Sequence, residues 1–277
     1  MHMAMDKLES NKKIAFLGVG NMARAMIDAM LDHDFVSARQ LVLYDPIAEK
    51  ASEYFGAKVA KDNRSAAKSA DIVVLAVKPQ RIDEVLEEIK GVVTDKHFVV
   101  SIAAGVTLQR IQSVLGDIVA VLRVMPNMCA QVSKSVSCWA AGDVVNNEQE
   151  QVVKGMLSVI GSEHKVSEDI IDEISVVSGS GPAYVLYLVE LMTEMGVELG
   201  LDKELAEELA RETVIGTGAF LAESEKSADV LRAEVTSKEG ITEAAFDELE
   251  GSDVEEVFLR AARAALKRTK ELASDGE

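Results

Sequence analysis

The sequence predicts an α/β N-terminal domain over residues 1–166 and an all-α C-terminal domain over residues 167–277. In the first part, short β-branched runs alternate with helix-length segments, as in a parallel sheet that helices cover on both faces. After about residue 167 the strand pattern stops, and apolar residues recur at the three- and four-residue spacing of amphipathic helices. Hydrophobic residues make up 48% of the 277-residue chain, which allows a sizeable core.

The N-terminal elements are read from short apolar runs of the kind that a parallel sheet buries on both faces. Strands are predicted at Ile14–Val19, Leu41–Tyr44, Ile72–Val77, Phe98–Ile102 and Ile118–Val124, with a further pair at Ser135–Ala140 and Glu163–Val166. Helices between them are predicted at Met22–Leu31, Arg81–Ile89 and Leu108–Leu115.

In the C-terminal part, helices are predicted at Pro182–Leu199, Lys203–Leu221 and Asp253–Leu272. The first of them is apolar on most of its circumference, through Tyr184, Val185, Leu186, Leu188, Val189, Leu191, Met192 and Met195. A helix that is apolar all round is normally buried. In so small a region that burial is easier to complete against a second subunit.

The charge of the chain limits its partners. The net charge is −18, from 47 acidic and 29 basic side chains, and so acidic a surface disfavours nucleic acid and anionic membranes. No apolar run approaches the ~18 residues of a membrane span, and the start lacks a signal peptide's apolar stretch. Cys129 and Cys138 match neither a disulfide framework nor a metal motif, and we expect buried reduced thiols in a cytoplasmic protein without a metal.

A glycine-rich turn follows the first predicted strand. Gly18-Val19-Gly20-Asn21-Met22-Ala23 matches G-x-G-x-x-G/A, the fingerprint of a Rossmann dinucleotide site. Gly18 permits the tight turn, Gly20 lets a pyrophosphate approach the backbone, and Ala23 keeps the helix close to the strand. Free amides at the start of the helix then face the phosphates. The alternative is a glycine turn that serves packing alone.

Asp45 ends the second predicted strand. A carboxylate there can accept hydrogen bonds from the adenosine ribose and repels a 2′-phosphate, which favours NADH over NADPH. The alternative is an Asp-Pro turn that begins a helix at Pro46.

Three segments at predicted carboxyl ends of strands line the expected cofactor crevice. They are Ala76-Val77-Lys78-Pro79, Ser101-Ile102-Ala103-Ala104-Gly105 and Arg123-Val124-Met125-Pro126-Asn127. The second domain adds Ser178-Gly179-Ser180-Gly181-Pro182-Ala183-Tyr184, which is interpreted as a flexible turn leading into the apolar helix.

In this order, the segments resemble the pyrroline-5-carboxylate reductase family, and the resemblance covers nearly the whole chain. It implies a Rossmann domain, a helical dimerisation domain and an active site between subunits, with rings of dimers in some members. The positions that match cofactor contacts are Leu17, Gly18, Val19, Gly20, Asn21, Met22, Asp45, Asn63, Ala76, Val77, Lys78, Pro79, Ile102, Ala103 and Ala104. Lys78 could instead be a solvated loop lysine, and Asn63 could cap the helix that follows it.

The resemblance also implies a substrate loop, usually Ser-Pro-Gly-Gly-Thr/Ala-Thr in the family. The matching residues here are Ser237, Lys238, Glu239, Gly240, Ile241 and Thr242, so that a Pro-Gly pair has become Lys-Glu. Thr242 is placed to hydrogen-bond the ring nitrogen, and loop amides to hold the carboxylate. Glu239 removes freedom at positive φ and adds negative charge near an anionic substrate.

Two further carboxylates bear on the substrate. Glu168 matches a substrate-proximal position, with a carboxylate at a helix N-terminus as its alternative. Glu234 stands where many members of the family carry an amide side chain.

The chemistry that fits these residues is reduction of an imine. His2, His33, His97 and His164 have no spacing that suggests catalysis. A protonated C=N accepts hydride without a strong general acid, whereas a ketone usually needs one. Together with this chemistry, the resemblance implies reduction of 1-pyrroline-5-carboxylate to L-proline by NADH or NADPH, with Thr242 as the catalytic residue.

Three alternatives stay open. A β-hydroxyacid dehydrogenase would use a lysine in the helix after its glycine-rich turn, and the helix from Pro182 contains no Lys or His. A reductase of another cyclic imine, such as pyrroline-2-carboxylate, fits the altered loop. The third is a non-catalytic relative that senses NAD(P).

Overall fold

The structure is a computed structural model that describes residues 7–274, and its chain divides into two units. One unit includes the chain as far as Ser180 together with the last helix from Ala265. The other unit is Gly181–Ala264. The sequence-based boundary between residues 166 and 167 stays a prediction.

The first unit is built on a sheet of eight strands within the described residues. The strands are β1 (Ile14–Leu17), β2 (Leu41–Tyr44), β3 (Lys58–Val59), β4 (Ile72–Leu75), β5 (Phe98–Ser101), β6 (Ala120–Met125), β7 (Ser135–Ala141) and β8 (Gly161–Lys165). Their order is β3-β2-β1-β4-β5-β6-β7-β8, and neighbours are parallel except that β7 is antiparallel to β6. The order of the first six is that of a Rossmann sheet, which confirms the predicted fold class.

Helices follow most of these strands in the first unit, and further helices, beginning with the one at Gly181, form the second unit. They are α1 (Asn21–Asp32), α2 (Ala48–Ser52), α3 (Asn63–Ala67), α4 (Ile82–Ile89), α5 (Leu108–Leu115), α6 (Asn147–Ser158), α7 (Ile171–Ile174), α8 (Gly181–Glu198), α9 (Lys203–Glu223), α10 (Ala228–Val235), α11 (Ile241–Glu250) and α12 (Val254–Ser274). The central strands are apolar along their whole length because hydrophobic clusters lie on both faces of the sheet. Phe16 and Met26 belong to one cluster, and Leu17 and Leu86 to the other.

The predicted flexible turn over residues 178–184 is wrong. Ser175–Gly179 is a π-helix that continues from α7, and α8 begins two residues later. The amide of Ser180 donates to the carbonyl of Ser175 at 2.9 Å, as a π-helical turn requires. A Cβ at Gly179 would lie 2.8 Å from Cε of Met125, so this glycine provides a close helix–strand contact.

Helix α8 packs on α9 but stays largely exposed in the single chain. A Cβ at Gly196 would lie 2.9 Å from Cβ of Ala206, which shows how closely the two helices approach. Leu186 is 63% and Met195 is 56% exposed, so much of the apolar circumference has no cover. The burial that the sequence predicted for this helix is not completed within one chain.

One finding corrects the expectation about membrane-length segments. The helical stretch Glu168–Glu198 is long and apolar enough, by length and composition, to cross a membrane. A single helix of this kind is weak evidence, because a core helix of a soluble protein passes the same test.

Candidate active site

The register of the sheet brings the predicted cofactor segments to one edge. A single row of paired residues crosses five strands, through Tyr44, Leu17, Leu75, Ser101 and Arg123. The next residues along four of these strands are Asp45, Gly18, Ala76 and Ile102. The strand order reverses between β1 and β4, and this is where Rossmann sheets bind dinucleotides.

The turn after β1 needs glycine at one position and leaves space at another. Gly18 has a φ of +95°, and a Cβ there would lie 2.7 Å from the carbonyl oxygen of Ala76. Gly20 precedes α1, and a Cβ on it would meet no atom within 4 Å. No side chain caps α1, and its first turn holds no acidic residue. The amides of this helix start are therefore open to an anion such as a pyrophosphate.

Asp45 is tied to the glycine turn. Its Oδ2 accepts a hydrogen bond from the amide of Val19 at 2.8 Å, and its Oδ1 accepts one from the amide of Ile47 at 2.9 Å. Lys50 Nζ lies 3.8 Å from Oδ1. The alternative of an Asp-Pro turn leading into a helix also describes Asp45, although α2 begins at Ala48 and not at Pro46. The carboxylate is held at the sheet edge, where the adenosine ribose of a dinucleotide would lie.

Asn63 is a buried residue with an unused acceptor. It is 5% exposed, and its Nδ2 donates to Glu88 Oε2 at 2.8 Å. Its Oδ1 has no hydrogen-bond partner within the described chain. It does not cap α3, since Asp62 accepts from the amide of Ser65, and the hydrogen bonds from Ser65 lower the pKa of Asp62. An unpaired buried acceptor is costly, so Asn63 suits a ligand that brings a donor.

The loops after β4 and β5 complete this edge. Lys78 is exposed and makes no ion pair within residues 7–274. Its exposure fits the alternative that it is a solvated loop lysine. Pro79 begins a short 3-10 helix. Ala103 is buried, and its amide donates to Oγ of the buried Ser101 at 3.4 Å.

Glu168 lies in the first turn of its own short 3-10 helix, Glu168–Ile170, and its carboxylate also reaches the N-terminus of α5. Its Oε1 accepts from the amide of Leu108, the first residue of α5, at 2.7 Å. The same oxygen lies 3.3 Å from Nη1 of Arg123, whose Nη2 lies 2.5 Å from Oδ1 of Asp172. Arg123 is 4% exposed. Sequence reasoning missed this ion-pair cluster, although an arginine within an otherwise apolar strand is a sign that carboxylates are near.

The predicted substrate loop lies in the second unit, at the junction before α11. The amide of Gly240 donates to the carbonyl of Ser237 at 3.0 Å and closes a tight turn. Glu239, in place of a family glycine, has a φ of +55°. Thr242 is half-buried in the first turn of α11, and Ile241 before it is exposed. These loop residues are thus brought together in one turn. Glu234 instead pairs with Lys226.

The histidines and cysteines do not form a further centre in the described part of the chain. His97 accepts from the amide of Thr94 at 3.1 Å, and His164 is exposed on β8, while His2 lies outside the described residues. Residues 7–274 hold no group of three His, Cys, Asp or Glu side chains that could bind a metal ion. Cys138 is buried, which raises the pKa of its thiol, whereas Cys129 is only half-buried.

Comparison with known proteins agrees with this geometry. Residues 168–272 match the family model described as pyrroline-5-carboxylate reductase dimerisation, and residues 13–105 match NADP oxidoreductase coenzyme F420-dependent. A pyrroline-5-carboxylate reductase from Methanosarcina acetivorans is 33% identical over 95% of this chain and 98% of its own length. The chain belongs to the pyrroline-5-carboxylate reductase family. The resemblance seen in the sequence motifs is thereby confirmed.

Solved structures of the family share the fold. A pyrroline-5-carboxylate reductase from Coxiella burnetii superposes with a TM-score of 0.87 at 36% identity, over 95% of this chain and 98% of that one. A pyrroline carboxylate reductase from Plasmodium falciparum, with NADP bound, gives 0.87 at 26% identity, over 96% and 100% of the two chains. The similarity therefore extends through both units.

Proposed function

We propose that the chain reduces the C=N bond of 1-pyrroline-5-carboxylate with NAD(P)H, giving L-proline for proline biosynthesis. The observation that supports this most strongly is 33% sequence identity to a family member over nearly the full length of both chains. The test is consumption of NADH or NADPH by the purified protein with synthetic 1-pyrroline-5-carboxylate, read out together with formation of proline. No consumption with either cofactor would contradict the proposal.

The residues of the first unit fit a dinucleotide. The space at Gly20 and the uncapped start of α1 suit a pyrophosphate, and the unpaired Oδ1 of Asn63 suits a hydroxyl or amino donor. Asp45 suits the adenosine ribose. We therefore assign cofactor binding to these positions and to the loops of residues 76–79 and 102–104.

The chain's own contribution is to bind and orient the substrate. When bound, NAD(P)H supplies the hydride for the C=N bond. Thr242 orients the ring nitrogen, and amides of the loop from Ser237 hold the carboxylate, which fixes the imine carbon for attack. Because the imine is protonated before it is reduced, the chain needs no strong general acid, in keeping with the absence of a histidine in the loop.

A second candidate is a reductase of another cyclic imine, such as pyrroline-2-carboxylate. The observation that favours it is Glu239, which places a carboxylate in the loop that would hold the substrate. One assay that compares both imines with both cofactors decides between them. Cofactor binding without turnover of either imine would instead indicate a non-catalytic NAD(P) sensor.

We expect replacement of Gly20 by Ala to weaken cofactor binding without loss of the fold. The added methyl group enters the space reserved for the pyrophosphate, while a φ of −80° is open to any residue. The dissociation constant for the cofactor should rise by about tenfold or more. Titration calorimetry and the thermal unfolding midpoint measure the two effects. An unchanged dissociation constant would contradict the assignment, and Gly18→Ala should destabilise the fold because of its positive φ.

We expect Asp45→Ser to shift cofactor preference towards NADPH. Removing the carboxylate removes repulsion of the 2′-phosphate, while the serine hydroxyl can still accept a hydrogen bond from the turn. The ratio of kcat/KM for NADPH to that for NADH should rise by about tenfold. Glu49→Ser removes the same charge from an exposed position nearby and serves as the control. Equal shifts in the two variants would show that only the general charge matters.

The C-terminal helices are proposed to form a homodimer. The match of residues 168–272 to a dimerisation family and the exposed apolar side chains of α8 support this. We further propose that the protein is cytoplasmic, binds neither membranes nor nucleic acid, and assembles its dimers into a ring. Light scattering measures the mass in solution, and a monomer at micromolar concentration would contradict the dimer.

A further inference from the structure

The substrate loop already holds a carboxylate of its own chain. The amide of Glu239 donates to Oε2 of Glu243 at 2.6 Å. Glu243 is half-buried in the first turn of α11, and Gly240, which precedes that helix, provides no side-chain cap. An acidic group is thus drawn to the positive end of the helix.

This contact uses an amide of the segment that would bind the substrate. The amides of Ile241 and Thr242, at the first two helical positions, have no partner four residues earlier within the helix. The amide of Gly240 donates to the carbonyl of Ser237. Within the loop, the amide of Glu239 donates to a side-chain carboxylate, that of Glu243.

A second carboxylate cannot enter this loop without cost. One amide hydrogen does not serve two carboxylates fully, and two negative charges a few ångströms apart repel each other. A substrate carboxylate must therefore displace Glu243 or bind beside it. A cyclic imine that lacks a carboxylate meets no such competition.

We propose that Glu243 is a specificity-determining residue that competes with the carboxylate of the substrate for the loop of residues 237–242. The inference rests on the proposed function. Glu243 raises KM for imines that carry a carboxylate and leaves KM nearly unchanged for imines that lack one. It acts in the ground state of binding, so kcat is nearly independent of it.

The test compares wild type, Glu243→Ala and Glu243→Gln with 1-pyrroline-5-carboxylate and with 1-pyrroline, which has no carboxylate. For Glu243→Ala, KM for the first substrate should fall about two- to fivefold, with little change in kcat or in KM for 1-pyrroline. Glu243→Gln should lie between, because its amide oxygen can still accept from Glu239 without carrying charge. Glu248→Ala, on the exposed part of the same helix, is the control.

Each outcome has a distinct meaning. An unchanged or higher KM for 1-pyrroline-5-carboxylate, or an equal fall for both imines, overturns the proposal. A lower unfolding temperature with an unchanged KM shows that Glu243 only caps α11, which overturns it as well. If wild type reduces neither imine, the proposed function itself fails, which is a different result from a wild-type enzyme whose KM does not respond to Glu243.

Discussion

Thr242→Ala is expected to lower kcat with 1-pyrroline-5-carboxylate by on the order of 10²-fold, the scale on which a single hydrogen bond to a reacting group acts. Its hydroxyl makes no hydrogen bond to another part of the described chain, so the substitution leaves no unpaired buried group. The loss therefore comes from the orientation of the imine nitrogen and not from the fold. Steady-state kinetics and the thermal unfolding midpoint separate the two effects.

Thr242→Ser supplies the matched control for this experiment. Serine keeps the hydroxyl and should retain most of the wild-type kcat. The dissociation constant for the cofactor should be the same in all three proteins, because Thr242 is assigned to the substrate alone. If kcat of Thr242→Ala equals that of wild type, Thr242 has no role in the reduction.

Arg123→Met is expected to produce the largest loss of stability, about 3 kcal/mol in the free energy of unfolding. The methionine fills a similar volume in β6 but leaves the carboxylates of Glu168 and Asp172 without their cation. These carboxylate side chains are 29% and 19% exposed, which places the loss at the lower end of the range for a broken buried ion pair. Chemical denaturation measures the difference.

Two further variants test the cause of that loss. Arg81→Met removes one partner of an ion pair whose side chains are 47% and 54% exposed, and it should change stability little. Adding Asp172→Asn to Arg123→Met should recover part of the loss, because it removes one unpaired charge. If Arg123→Met is as stable as Arg81→Met, the cluster does not hold β6 to the residues that follow β8.

The strands of the sheet were predictable because their burial is local and continuous. The strand Leu41–Tyr44 and the helix Leu108–Leu115 were predicted with the bounds that the structure has. The two-residue β3 was not predicted, since Lys58 and Val59 are exposed at the edge of the sheet and carry no apolar pattern. The π-helix before α8 was taken for a turn, because its serines and glycines also suit loops and the contact of Gly179 with Met125 joins distant parts of the chain.

The glycine turn and its neighbours were predictable for a different reason. Their spacing is fixed by the approach of a phosphate to the backbone, and this leaves a local motif in the sequence. The partners of side chains leave no such motif. Three features appeared only in the structure, because they depend on how side chains are placed in the fold. They are the hydrogen bond from the amide of Leu108 to Glu168, the unpaired oxygen of Asn63 and the hydrogen bond from the amide of Glu239 to Glu243.

The transfer of deuterium tests the central claim most directly. The protein is supplied with NADH or NADPH that carries deuterium at nicotinamide C4 on the transferred face, together with 1-pyrroline-5-carboxylate, and the product is analysed by mass spectrometry and NMR. We expect L-proline with deuterium on the ring carbon that is bonded to nitrogen and does not carry the carboxylate. Two results would contradict reduction of the C=N bond by this chain. One is that no proline forms, and the other is that the proline carries no deuterium whichever face of nicotinamide C4 is labelled.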